Sequence, residues 1–373
     1  NLNINFINRV GILSYYDWIL GGGEKYLSDI MKYFINKDKS IEIIFFNNTD
    51  ENLFNNTTSI LLKDNKNIIK RKYTNEINKY KNYFDIFIVM SNSIAAPINI
   101  RLGKLQLYHS QFPFDYMNNK KLKNRICNTY NVFDGIIVNS DYTKKYYNNY
   151  SFDYFKNNIE ILYPNCFKDN IKQISKPDKT IFTTIGRIFK SCGNYSKNLD
   201  KIIETFNNLN TNSIELYIIG TVQDIDYLNY LKKIIKNKNI NIKNDISNEE
   251  KEKILLKSTY YIHAIGMSLN EENNAECYEH FGISPIEAMY YQNIPIISNG
   301  GFPKYYIKNG VNGYIFDNMC ELENIITKII NNDDIIIPKN ANKINNKIIM
   351  KFNEENYNNN LSKILKKYSY KLF

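Results

Sequence analysis

Tyr260-Tyr-Ile-His263, Glu279-His-Phe-Gly-Ile-Ser-Pro-Ile-Glu287-Ala-Met289 and Ile294-Pro-Ile-Ile-Ser298 together decide the fold. Two short, largely apolar runs enclose a loop and a helical stretch, Pro285–Tyr291. The runs do not alternate polar with apolar, as strands of a parallel sheet do when helices cover both faces. The pattern repeats upstream. Thr180–Ile185, Glu215–Ile219 and Ile240–Ile242 read as strands, with helices at Asn198–Asn208, Ile225–Ile235 and Glu249–Leu256. Earlier still, Phe6–Ser14, Ile41–Phe46, Asp85–Met90, Leu105–Tyr108, Gly135–Val138 and Ile159–Tyr163 read as strands, and Glu24–Phe34 as an amphipathic helix. The polar stretch Asn165–Asp178, with Pro164 and Pro177 at its ends, reads as a linker. The expectation is an α/β chain of two doubly wound Rossmann-like domains, 1–170 and 171–350. A tail, 351–373, regains helical spacing at Leu361, Ile364 and Leu365.

Length and composition agree with that division. At 373 residues and 43% hydrophobic, the chain can bury two cores of ordinary size. No apolar run approaches the ~18–20 residues of a membrane span. The first residues, Asn-Leu-Asn-Ile-Asn, have neither a basic n-region nor an apolar h-region, so no signal peptide is expected in them. The net charge of +10 would suit nucleic acid or an anionic membrane. Lysine greatly outnumbers arginine, and Asn, Ile and Tyr abound, which base composition of the coding sequence also explains. Five scattered cysteines without a CxxC pair argue against a disulfide framework or a structural zinc, and fit a reducing, cytoplasmic setting.

In doubly wound sheets, ligands bind beyond the carboxyl ends of the strands. The residues that run against the compositional bias gather there. His109 follows Leu105–Tyr108, His263 ends Tyr260–His263, and His280 lies in the loop before Pro285. Gly21-Gly22-Gly23-Glu24 follows the first strand region and opens a helix, where glycine lets a ligand approach the backbone; a plain turn explains it equally. Gly186-Arg187 follows Thr180–Ile185, and Lys197 precedes a helix; these two cations would suit a diphosphate. Around the next helix start, Ser284 is a suitable N-cap, Pro285 a first helical residue, and Glu287 completes a capping box. Capping does not account for Glu279, His280, Phe281 and Gly282. Such a loop would present carboxylates and amides to a polyhydroxyl ligand. Asn299-Gly300-Gly301 reads as a turn. Asp224-Ile225-Asp226 reads as the opening of a helix rather than a metal site, and no spacing suggests a bound metal.

The order of these motifs resembles glycosyltransferase family 4. The specific part is the run from Glu279-His-Phe-Gly-Ile to Glu287-Ala-Met, supported by Val138-Asn-Ser-Asp-Tyr-Thr143 and Ile161-Leu-Tyr-Pro164. The resemblance implies the GT-B architecture, two Rossmann-like domains facing across a cleft. The N-terminal domain would serve the acceptor, the C-terminal one the nucleotide-sugar donor, and the last helix would cross back to the first domain. It implies a retaining transferase that moves a hexose-type sugar from a nucleotide-diphosphate donor, with no tightly bound cofactor. By resemblance, Arg187 and Lys197 hold the diphosphate. Glu279 and the amides of Phe281, Gly282, Ile283 and Ser284 hold the sugar, and Glu287 the ribose. His109 approaches the transferred sugar, and Gly22, Gly23 and Gly186 line the site. The interval from Arg187 to Lys197 is longer than the family's, which leaves Lys190 as a rival. Lys304 stands where many members carry glutamate. The acceptor is open: glycan, lipid-linked glycan or another. Peripheral membrane association is left open and nucleic acid disfavoured. The competing readings are an epimerase or phosphorylase on the same fold, or a non-enzymatic basic binding protein.

Overall fold

The computed structural model describes residues 7–62, 68–71, 76–115, 122–150, 158–167, 176–209, 213–333, 338–368 and 370. The chain forms two compact units. One comprises Asn1–Asn165 with Glu354–Phe373, the other Cys166–Asn353. The division therefore falls a few residues before 170. Most of the expected linker, 168–175, lies outside the described residues.

In the first unit, β1 (Arg9–Ser14), β2 (Glu42–Phe46), β3 (Ile68–Arg71), β4 (Phe84–Ser91), β5 (Gly103–Ser110), β6 (Gly135–Val138) and β7 (Ile159–Ile161) form a parallel sheet. Its order is β3-β2-β1-β4-β5-β6-β7, so the winding reverses between β1 and β4. Strand β4 is buried along its whole length, which explains its unbroken apolar run. The helix Gly22–Lys37 lays Leu27, Ile30, Met31 and Phe34 on the sheet. The helix Glu354–Lys367 adds Tyr357, Leu361, Ile364 and Leu365 to that same core. The loop between β1 and the first helix is pinned by Trp18. Its amide donates to Thr49 Oγ1 at 2.7 Å and its indole to Thr58 Oγ1 at 3.0 Å.

The second unit repeats the plan with β8 (Thr180–Ile185), β9 (Ile214–Gly220), β10 (Ile240–Asn244), β11 (Tyr260–His263), β12 (Ile294–Ser298) and β13 (Tyr314–Phe316). The order is β10-β9-β8-β11-β12-β13, so β8 and β11 are adjacent at the reversal. Loops leaving their carboxyl ends meet there, at the usual binding edge of a doubly wound sheet. The Asp224 carboxylate accepts from Tyr227 N at 2.9 Å and caps the helix Ile225–Ile234.

Candidate functional site

In the second unit, three loops converge at the carboxyl ends of β8, β11 and β12. Gly186 follows β8, and a Cβ built there would lie 3.1 Å from Lys197 Cδ. The absence of a side chain thus lets Lys197 cross the strand end. The bend that aims this lysine is Asn198, which takes left-handed backbone (φ 52°). Its amide group donates to Ala264 O just beyond β11 at 2.7 Å. Lys197 Nζ then lies 3.7 Å from Glu279 Oε2, and His263 Nε2 lies 3.2 Å from the same oxygen. The His263 approach is poorly aligned for a hydrogen bond. Lys190 is exposed, whereas Lys197 is largely buried in the group around Glu279.

Burial raises the cost of charge on Glu279, but the Lys197 ammonium and the His263 contact outweigh it and hold the carboxyl well below its usual range. Burial opposes charge on Lys197 too, yet Tyr195 and Glu279 together raise its pKa. Burial lowers His263 despite Glu279, and lowers His280 to about 4 despite the same carboxylate. The assembly is a fixed ammonium–carboxylate pair flanked by neutral imidazoles. Such a pair can bind an anion on the lysine side and sugar hydroxyls on the glutamate side.

The backbone around Glu279 is covered by glycines. Gly282 takes φ 86°, with Glu279 Cγ 3.0 Å from where its Cβ would be. Gly301, at φ 66°, would place a Cβ 2.5 Å from the Glu279 carbonyl oxygen, and Phe302 N donates to that oxygen at 2.8 Å. Glu271 accepts from Gly301 N at 3.1 Å. The Gly300-Gly301 pair is therefore more than a turn: it seats the Glu279 loop. Gly301→Ala should cost about 1–3 kcal/mol through backbone strain and displace Glu279. A melt lowered in step with weaker nucleotide binding would show this; an unchanged melt would contradict it.

The capping box expected at Ser284 and Glu287 does not form. The helix runs Ile283–Tyr290 with Gly282 at its N-cap, because the left-handed glycine turns the chain into helix two residues early. The Ser284 hydroxyl instead bonds Tyr261 OH at 2.9 Å, and Glu287 pairs with Lys251 Nζ at 2.7 Å. Phe281 is buried and stacks on Phe302 at 5.4 Å.

In the first unit, His109 lies within β5 rather than after it. The ring is fully buried, 4.3 Å from the Tyr26 ring, and neither nitrogen has a hydrogen-bond partner among the described residues. Gly22 and Gly23 are the first residues of the helix Gly22–Lys37, after Gly21 at its N-cap. A Cβ at Gly23 would meet Gln111 Nε2 at 2.3 Å. Thr143 Oγ1 donates to Gln111 O at 3.1 Å, which ties the end of β5 to the helix Asp141–Tyr150.

Burial depresses His109 to about 3. His109 and His280 are then neutral when folded but take up protons near pH 6.5 when unfolded. The unfolded state binds more protons between about pH 4 and 6.5, so stability falls as pH drops through that window. Unfolding at pH 5 should require up to about 2 kcal/mol less per histidine than at pH 7. Denaturant titrations at both values test this, and His109→Gln should narrow the difference. Glu279, held well below its usual range when folded but ordinary when unfolded, adds to the same loss at the acid end of this window.

Among the described residues no three His, Cys, Asp or Glu side chains gather as a metal site would require. No described helix is long and apolar enough to cross a membrane.

Residues 167–350 match the family described as Glycosyl transferases group 1. The chain is similar to Alpha-1,3/1,6-mannosyltransferase ALG2 of Dictyostelium discoideum, 28% identical over 281 residues, covering 63% of this chain and 61% of that one. The protein of the same name from Candida glabrata is 25% identical over 258 residues, covering 58% and 56%. The chain thus spans about three fifths of the length of these relatives. Among solved structures, Anabaena Alr3699/HepE in complex with UDP superposes with a TM-score of 0.72 at 12% identity, covering 96% of this chain and 100% of that one. The match to group 1 glycosyltransferases thus lies within the second unit, and the fold, two doubly wound Rossmann-like sheets, is that of GT-B structures.

Proposed function

We propose that this protein is a retaining glycosyltransferase that moves a hexose from a nucleoside-diphosphate sugar to an acceptor hydroxyl. One observation carries the reading. In the group 1 domain, Lys197, Glu279 and His263 meet at the carboxyl ends of β8 and β11, with Gly186 leaving room for the lysine. Arg187 and Lys197 bind the diphosphate. As the C1–O bond breaks, its electron pair passes to the diphosphate oxygen, where these cations stabilise the growing charge; the acceptor hydroxyl bonds C1 and its proton passes to that departing oxygen. Glu279 and the amides at Phe281, Gly282, Ile283 and Ser284 orient the sugar, and Glu287 accepts from ribose hydroxyls.

Mannose is the first sugar to test, because the Dictyostelium and Candida relatives carry that name. UDP is among the nucleotides to test, because the Anabaena structure holds it. The acceptor is a glycan or lipid-linked glycan, and the lysine excess would favour an anionic membrane surface. Five cysteines, none of them in a disulfide among the described residues, suit a cytoplasmic site. A thermal-shift panel of UDP, GDP and their hexose conjugates tests the reading. A ligand at 100 times its dissociation constant adds about 2.7 kcal/mol of stability. No shift and no turnover across the panel would overturn it.

A further inference from the structure

The long interval between Arg187 and Lys197 folds into a defined structure. Ile188 bridges to Val222, and Cys192 and Tyr195 exchange backbone hydrogen bonds at 2.9 and 3.0 Å, closing a small hairpin. Ser196 Oγ donates to Lys190 O at 3.0 Å, and Asn194 Nδ2 bonds Asn274 Oδ1 at 2.9 Å. The hairpin brings Phe189 and Tyr195 face to face, with ring centroids 5.8 Å apart and planes 18° from parallel. Each ring serves one cation. The Arg187 guanidinium lies 5.5 Å from the centroid of Phe189, and Lys197 Nζ lies 5.6 Å from that of Tyr195. Two cations and two stacked rings thus form one continuous group, Arg187–Phe189–Tyr195–Lys197.

Two like charges aimed at one diphosphate repel each other before the ligand arrives, and both side chains are long and flexible. A ring face attracts a cation through its quadrupole, and two offset-stacked rings hold each other. We infer that Phe189 and Tyr195 are positioning residues, which hold Arg187 and Lys197 at a fixed separation for the two phosphates of the donor. The inference rests on the donor-binding reading above and deepens it. Preorganised cations lose less freedom when the anion binds. The device therefore acts on affinity for the nucleoside diphosphate as well as on turnover.

The test is calorimetric titration of UDP and GDP into the full chain and into Tyr195→Leu, Phe189→Leu and Tyr195→Phe. Each leucine variant should weaken the diphosphate by about tenfold and raise KM for the donor in parallel. Tyr195→Phe, which keeps the ring, should recover affinity to within about threefold of the wild type. A double-mutant cycle separates positioning from loop folding. If Tyr195 acts through Lys197, Tyr195→Leu should add little in a Lys197→Met background. Wild-type binding with unchanged affinity in both leucine variants, or full additivity in the cycle, would overturn this inference alone. Absence of any diphosphate binding by the wild type would instead overturn the donor-binding reading on which it stands.

Discussion

Lys197→Met is expected to lower kcat/KM by about 10²–10³, the cost of losing one preorganised contact to a developing charge. The substitution acts twice. It removes a cation from the proposed diphosphate site and strips Glu279 of the charge that keeps its carboxyl ionised. Burial then dominates at Glu279, and the carboxyl's pKa climbs. Glu279→Ala should cause a comparable loss, and the double variant should be far less impaired than the product of the two, because both act on one pair. Arg187→Ala should fall in the same range, since the proposed function assigns it to the same phosphates. Steady-state kinetics on a hexosyl donor measures all four. Activity in Lys197→Met within threefold of wild type would contradict the role assigned to this lysine.

Truncation after Asn353 should abolish the cooperative folding of the first unit and leave the second unit's melt in place. The helix Glu354–Lys367 buries Tyr357, Leu361, Ile364 and Leu365 in the core built on β1, β4 and the helix Gly22–Lys37. Tyr368 closes the same core, and its ring lies 2.6 Å from where a Cβ on Gly135 would stand. Removing one buried leucine costs about 2–5 kcal/mol, and a whole domain's stability is about 5–15 kcal/mol. Losing five large buried side chains exceeds that margin. Leu361→Ala alone should shift the first transition by several degrees and spare the second. Calorimetry that shows the truncated chain melting like the intact one would refute this.

The sequence carried the inner strands well. The expected bounds of β6, β8, β11 and β12 are those found, because a strand covered on both faces is written as an unbroken apolar run. At the rims it showed Ile159–Tyr163 and Ile240–Ile242, the edge strands β7 and β10, but was silent on β3 and β13. β3 ends in Lys70-Arg71 and is only half buried, and β13 is three residues long. Both lie at a sheet edge, where one side needs no apolar residues. At the site, the residue types were legible but not their partners. Ser284 and Glu287 spell a capping box, yet Tyr261 and Lys251 capture their side chains while Gly282 starts the helix. His263 was notable as a strand-end histidine, but its approach to Glu279 arises only because the loop before the helix returns over β11. Gly300-Gly301 looked like a turn, since nothing in a pair of glycines announces which backbone passes beneath it. Tyr195 and Phe189 looked like inserted residues until the hairpin brought their rings together.

The central claim is that the Lys197–Glu279 assembly holds a nucleoside-diphosphate sugar and releases its sugar with the configuration retained. The most direct measurement is a proton NMR time course of the intact chain with α-linked GDP-mannose and UDP-hexoses, read before the free sugar mutarotates. Slow hydrolysis of at least one donor, with the α-anomer appearing first and the rate lost in Lys197→Met, is the predicted result. First appearance of the β-anomer, or no release from any donor, would contradict it.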